Sequence, residues 1–88
     1  MIKADYVIID PLGMHARPAT ALLKLSRNYK SVVTIQKAGK SVPVKSMINI
    51  LGLAVKAGDT VTIITEGEDE QAAALAMEHF FTVEMKNF

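Results

Sequence analysis

The sequence predicts an α+β fold: an open-faced β-sandwich in the order β-α-β-β-α-β-α, with a four-stranded antiparallel sheet covered on one face by three helices. Short runs of strand type, rich in β-branched residues or alternating with period 2, recur along the chain. Between them lie stretches whose apolar residues repeat every 3.6 positions, and turns carrying glycine or proline separate the two kinds. Helices that bury an apolar stripe against an antiparallel sheet form a two-layer α+β sandwich. With 88 residues there is material for one modest core, so a single domain over residues 1–88 is expected.

Ile2 to Ile8 alternates and reads as a strand burying Ile2, Ala4, Tyr6 and Ile8. Asp10-Pro11-Leu12-Gly13 is a turn. From Ala16 to about Asn28 the period becomes 3.6, with Ala19, Leu22, Leu23, Ser26 and Tyr29 on one stripe and Arg17, Thr20, Lys24, Arg27 and Asn28 facing away. Pro18 fits the first turn, where backbone N–H groups lack an intrahelical acceptor. Val33–Ile35 and Val42–Val44, joined through Ala38-Gly39, read as a hairpin, and Pro43 assigns its second arm to a sheet edge. Ser46 to about Leu51 is a short helix with Ser46 as N-cap, although Asn49 stands where a capping box needs Glu or Gln. Gly58-Asp59 leads into a strand with Val61, Ile63 and Thr65 on one side, ended by Gly67. Asp69, Glu70 and Gln71 then open a second long helix, whose stripe is Ala73, Ala76, Met77, Phe80 and Phe81.

Composition narrows the function. The chain has no cysteine, which excludes disulfides and thiolate metal sites, and its two histidines are too few for a metal cluster. No apolar run approaches the roughly 20 residues that span a bilayer, and no signal peptide is present, so a cytoplasmic protein without membrane insertion is expected. Only five aromatic residues occur, none interleaved with cations, and there is no nucleic-acid motif. Charge is divided along the chain: residues 1–56 hold nine basic and two acidic side chains (+7), and residues 57–88 hold one basic and seven acidic (−6). Such a division suits an anionic partner for the first half, unless the fold pairs the two halves and blunts the field.

The segment Gly13-Met14-His15-Ala16-Arg17-Pro18 carries the chemistry. His15 stands at the N-cap of a helix, whose free N–H groups and positive dipole end suit an anion. Imidazole is a nucleophile largely neutral near pH 7. It could attack phosphorus while the amides of Ala16 and Arg17 and the Arg17 guanidinium hold the phosphoryl oxygens, a task that fits the two-pronged guanidinium. Taken alone, these residues more often mean a histidine that only caps a helix beside a solvated arginine, because a lone histidine near a helix start is common.

Gly13-Met14-His15-Ala16-Arg17-Pro18-Ala19 closely resembles the active-site signature of the HPr family, the histidine-containing phosphocarriers of the bacterial sugar phosphotransferase system. Lys45-Ser46-Met47-Ile48 is similar to that family's regulatory serine segment, and Glu66-Gly67-Glu68-Asp69-Glu70-Gln71 to the loop entering its last helix. The resemblance spans the whole chain. It implies that His15 accepts a phosphoryl group on Nδ1 from enzyme I and passes it to enzyme IIA domains, with Arg17 and the amide of Ala16 steadying it. A covalent carrier rather than an enzyme is therefore expected, monomeric and without cofactor. It further implies that Ser46, beyond its capping role, is a target of HPr kinase/phosphorylase in some lineages. The partner surface combines the cationic helix face of Arg17, Thr20, Lys24 and Arg27 with the apolar side of the short helix, Met47, Ile48 and Leu51. An apolar patch rimmed by cations suits a transient acidic partner; core positions for Met47 and Ile48 are the plainer alternative.

Met14 replaces the usual Leu or Ile, a volume-conserving change. Asn49 and Gly52 fall where family members differ, with glycine commoner near position 54, which leaves the end of the short helix open. Two neighbouring functions share the fold: a regulator that transfers nothing, whose known forms lack the histidine, and a nitrogen-branch phosphocarrier that keeps it.

Overall fold

The computed structural model describes residues 1–88. Its elements are strands β1 (Ile2–Val7), β2 (Val32–Lys37), β3 (Lys40–Pro43) and β4 (Thr60–Glu66), helices α1 (Ala16–Ser26), α2 (Met47–Gly52) and α3 (Glu70–Thr82), and a closing 3₁₀ turn at Glu84–Asn87. The four strands form one antiparallel sheet in the order β1-β4-β2-β3, which places Pro43 on an edge, where its missing N–H costs no ladder bond. The expected architecture is therefore present.

Register explains the core. Ile63 of β4 lies opposite Ala4 of β1 and Ile35 of β2, and Ile35 lies opposite Val42 of β3, so one face of the sheet is continuously apolar. Against it, α1 buries Ala19, Leu22, Leu23 and Ser26, while α3 buries Ala73, Met77, Phe80 and Phe81. The Phe81 ring stacks on Tyr6 at 5.1 Å and meets Phe80 edge-on at 5.0 Å. Each fully buried phenylalanine contributes about 1.5–3 kcal/mol of transfer free energy. The buried hydroxyl of Ser26 donates to the carbonyls of Leu23 (2.9 Å) and Val44 (3.2 Å), so it sits on the apolar stripe without an orphaned polar group.

Three boundaries differ from expectation. The first helix stops at Ser26, because Asn28 and Tyr29 donate to Leu25 and Ser26 in tighter i→i−3 turns; Tyr29 is half-buried beyond the helix. The hairpin strands are β2 and β3 rather than the shorter arms expected, with Ala38 (φ 51°) and Gly39 (φ 83°) as the two left-handed turn residues. The 3₁₀ turn near the end of the sequence buries Met85 and was not anticipated by periodicity. In β1 the residues Ile2, Ala4 and Tyr6 are half-buried, and Ile8, just beyond the strand, is the deeply buried member.

Candidate functional site

Two loops build the site. Residues 8–15 run from β1 to α1 and are laced to residues 53–59: Ile8 N–H donates to Asp59 O (2.8 Å), Gly58 N–H to Ile8 O (2.9 Å), and Met14 N–H to Val55 O (3.0 Å). Gly13 is required where the loops meet. Its φ is 71°, and a Cβ there would run into the Val55 carbonyl and the Lys56 backbone. Lys37 braces the second loop from β2, its ammonium donating to Ala54 O (2.7 Å) and pairing with Asp59 Oδ2 (2.9 Å).

His15 then falls at the N-cap of α1 with extended backbone (φ −87°, ψ −172°), and its carbonyl accepts from Ala19 N–H at 3.0 Å. Its side chain does not cap the helix. Nε2 instead lies 3.3 Å from Oδ2 of Asp10, while Nδ1 has no protein partner. The backbone N–H groups of Ala16 and Arg17 have no acceptor, and Pro18 contributes none, so the first turn presents only uncommitted donors. Asp10 is 2% exposed; its other oxygen accepts Leu12 N–H at 2.8 Å in an Asx turn. Sequence reasoning placed Asp10 only in a turn. A carboxylate five residues before a histidine has no periodic signal, and the contact arises from the loop path.

Arg17, Lys24 and Arg27 are exposed and make no ion pair. Thr20 is half-buried, its hydroxyl donating to Ala16 O at 2.7 Å, so it faces the surface less than the wheel suggested. A depression of about 380 Å³ lies beside them, lined by Ala16, Arg17, Thr20, Ala21, Lys24 and Phe88. The two charge halves do meet, through Lys30–Glu68 (3.1 Å) and Lys37–Asp59 (2.9 Å), which blunts the field at those lysines and leaves the α1 cations free.

Ser46 caps α2, its hydroxyl accepting Asn49 N–H at 3.4 Å. In α2 the core residue is Ile50. Ile48 is 81% exposed and Leu51 39%, whereas Met47 is half-buried against the core, so Met47 serves packing as much as surface. The helix runs to Gly52, and Ala54 takes φ 53°, the left-handed conformation for which glycine is suited.

Residues 2–82 match the family model described as "PTS HPr component phosphorylation site". The chain belongs to the HPr family. It is 38% identical over 82 residues to the phosphocarrier protein HPr of Lysinibacillus sphaericus, covering 93% of each chain. It is 40% identical over 84 residues to the HPr-like protein Crh of Halalkalibacterium halodurans, covering 96% of this chain and all of that one. In structure it is similar to an HPr from Thermoanaerobacter tengcongensis, with a TM-score of 0.93 at 28% identity over 100% and 99% of the two chains. HPr proteins are phosphocarriers rather than enzymes, in keeping with the expectation that the resemblance carried. No helix of this HPr-family chain is long and apolar enough to cross a membrane.

Proposed function

We propose that this chain is a cytoplasmic, monomeric phosphocarrier that accepts a phosphoryl group on Nδ1 of His15 from phosphorylated enzyme I and donates it to enzyme IIA domains. The observation that carries the reading is the conjunction at the start of α1: an imidazole with one free nitrogen, two uncommitted N–H groups on Ala16 and Arg17, and an unpaired Arg17 guanidinium. A phosphoryl group on Nδ1 carries charge on its three peripheral oxygens, which donors at a helix N-terminus and a two-pronged guanidinium are suited to hold. Transfer is in line between two histidines, so positioning and charge compensation do the catalytic work and no water need be activated.

Docking of acidic partners falls to Arg17, Lys24 and Arg27, with Thr20 at their margin, and to the apolar Ile48 and Leu51 beside Met47. Ser46, between these two patches in sequence, is the proposed target of HPr kinase/phosphorylase, where a phosphate would add about two negative charges near the cationic face. The test is incubation with phosphoenolpyruvate and enzyme I, followed by intact mass and acid treatment. One acid-labile phosphoryl group per chain is expected, lost in His15→Ala. The likeness to Crh favours a second reading, regulation without transfer; a chain that takes no phosphoryl group under these conditions would support it.

A further inference from the structure

Asp10 is the one buried carboxylate near the site, and it takes no part in holding the phosphoryl oxygens. Its two oxygens are divided. Oδ1 accepts Leu12 N–H at 2.8 Å, which is fixed by the turn, and Oδ2 faces His15 Nε2 at 3.3 Å. Its side chain is 1% exposed against 25% for His15, so water does not compete for that oxygen. A carboxylate is an acceptor, so the imidazole nitrogen facing it is the one that carries hydrogen. In a neutral ring with the proton on Nε2, the lone pair lies on Nδ1.

We propose that Asp10 is a positioning residue: it holds the proton of His15 on Nε2 and so keeps Nδ1 the phosphoryl acceptor and, afterwards, a good leaving group. This rests on the reading of His15 as the acceptor. When the group arrives from a protein phosphohistidine, the Nδ1–P bond forms as the donor N–P bond breaks, and the electron pair of the broken bond returns to the donor ring. The proton on Nε2 does not move. The phosphorylated ring carries positive charge over its two nitrogens, and the buried carboxylate beside Nε2 compensates it where solvent screens poorly. When the group leaves, the Nδ1–P pair returns to Nδ1 and the ring departs as neutral imidazole, never as imidazolate. Asp10 thus supports both directions without giving or taking a proton, the role a buried aspartate plays beside the histidine of a hydrolase triad.

Leu12 makes the assignment testable. In Asp10→Asn the amide oxygen stays with Leu12 N–H, since turning it away would set two donors against each other. The amide NH₂ then faces Nε2, which becomes an acceptor, and the proton moves to Nδ1. The experiment uses full-length protein labelled with ¹⁵N in histidine. The nitrogen shifts of neutral His15 report its tautomer, and phosphorylation by enzyme I and phosphoenolpyruvate is timed on the same samples, with circular dichroism confirming the fold. Wild type should carry hydrogen on Nε2. Asp10→Asn should shift toward hydrogen on Nδ1 and accept phosphoryl about tenfold more slowly, as suits loss of one charge-assisted hydrogen bond. Asp10→Ala should lose the bias without reversing it. An unchanged tautomer in Asp10→Asn overturns the proposal, and so does a shifted tautomer with an unchanged rate. If wild type accepts no phosphoryl group, the proposed function falls, and the tautomer alone still decides whether Asp10 orients the ring.

Discussion

His15 leaves the helix amides free and turns its ring to Asp10, so removing the ring should not disturb the start of α1. His15→Ala is expected to abolish labelling from phosphoenolpyruvate with helix content unchanged by circular dichroism; labelling at wild-type level would remove His15 from the proposed relay. Arg17 has no internal partner, so Arg17→Lys keeps the charge and the fold, and any effect reads the guanidinium geometry. Transfer from enzyme I should slow by about tenfold, the worth of one charge-assisted hydrogen bond in the transition state; an unchanged rate would leave Arg17 a charge only. Both residues were legible because a short contiguous segment carries them. Asp10 was not, since its approach to His15 depends on how Gly13 and Val55 route the loop, a tertiary fact with no local signature.

At the scale of elements, the loop from α2 to β4 carries a correctable strain. Ala54 adopts φ 53°, where a Cβ crowds the backbone by about 1–2 kcal/mol, and glycine returns part of that gain through its freer unfolded chain. Ala54→Gly should therefore raise stability by about 0.5–1 kcal/mol in urea melts. Lower stability would mean that the freer unfolded chain of glycine outweighs the strain relieved at this position. The departure from glycine at this position was visible in the sequence, but its left-handed backbone was not. In α2 the cap was legible and so was the exposed side of the helix, though only packing separates Ile48 from the half-buried Met47. Ser46→Asp keeps an acceptor for Asn49 N–H and so the helix. It should weaken docking to enzyme I at low salt, and the loss should shrink as the Debye length falls from about 10 Å at 0.1 M to about 3 Å at 1 M. Equal docking at low salt would leave Ser46 a cap alone.

Across the whole molecule, the order of elements and the helix layer followed from periodicity, but the strand order β1-β4-β2-β3 and the pairing of the charge halves did not, because neither strand pairing nor charge position can be read from local pattern alone. Three carboxylates of the acidic half join segments distant in sequence or brace a loop. Asp69 accepts Lys30 N–H and Ser31 N–H (both 2.8 Å) and the Ser31 hydroxyl, fastening β2 to the start of α3, where Gly67 passes too close to Ser31 for any side chain. Asp59 pairs with Lys37 and accepts Lys56 N–H; Glu70 takes the Met1 ammonium and Gly67 N–H. Hydrogen bonds to the charged form hold all three below the usual carboxylate range: chiefly from the Ser31 hydroxyl for Asp69, from Lys37 for Asp59 and from the Met1 ammonium for Glu70. A group whose folded pKa is depressed adds stability that is fully present above its unfolded pKa and fades as pH falls through the folded one. The unfolded values are about 4, so stability should be level near neutrality and fall below about pH 4. At the other end, burial and then the Glu78 charge push the Tyr6 phenol up, so its neutral form stabilises the fold, and that contribution is lost as pH rises above about 10. Urea midpoints measured from pH 7 to pH 3 test the acid limb. Asp69→Asn cannot ionise at the clasp, so it should lower the midpoint at pH 7 and flatten the fall between pH 5 and pH 3. An acid limb as steep in Asp69→Asn as in wild type would show that the clasp between β2 and α3 carries none of the pH dependence, and that the remaining carboxylates hold the two charge halves together.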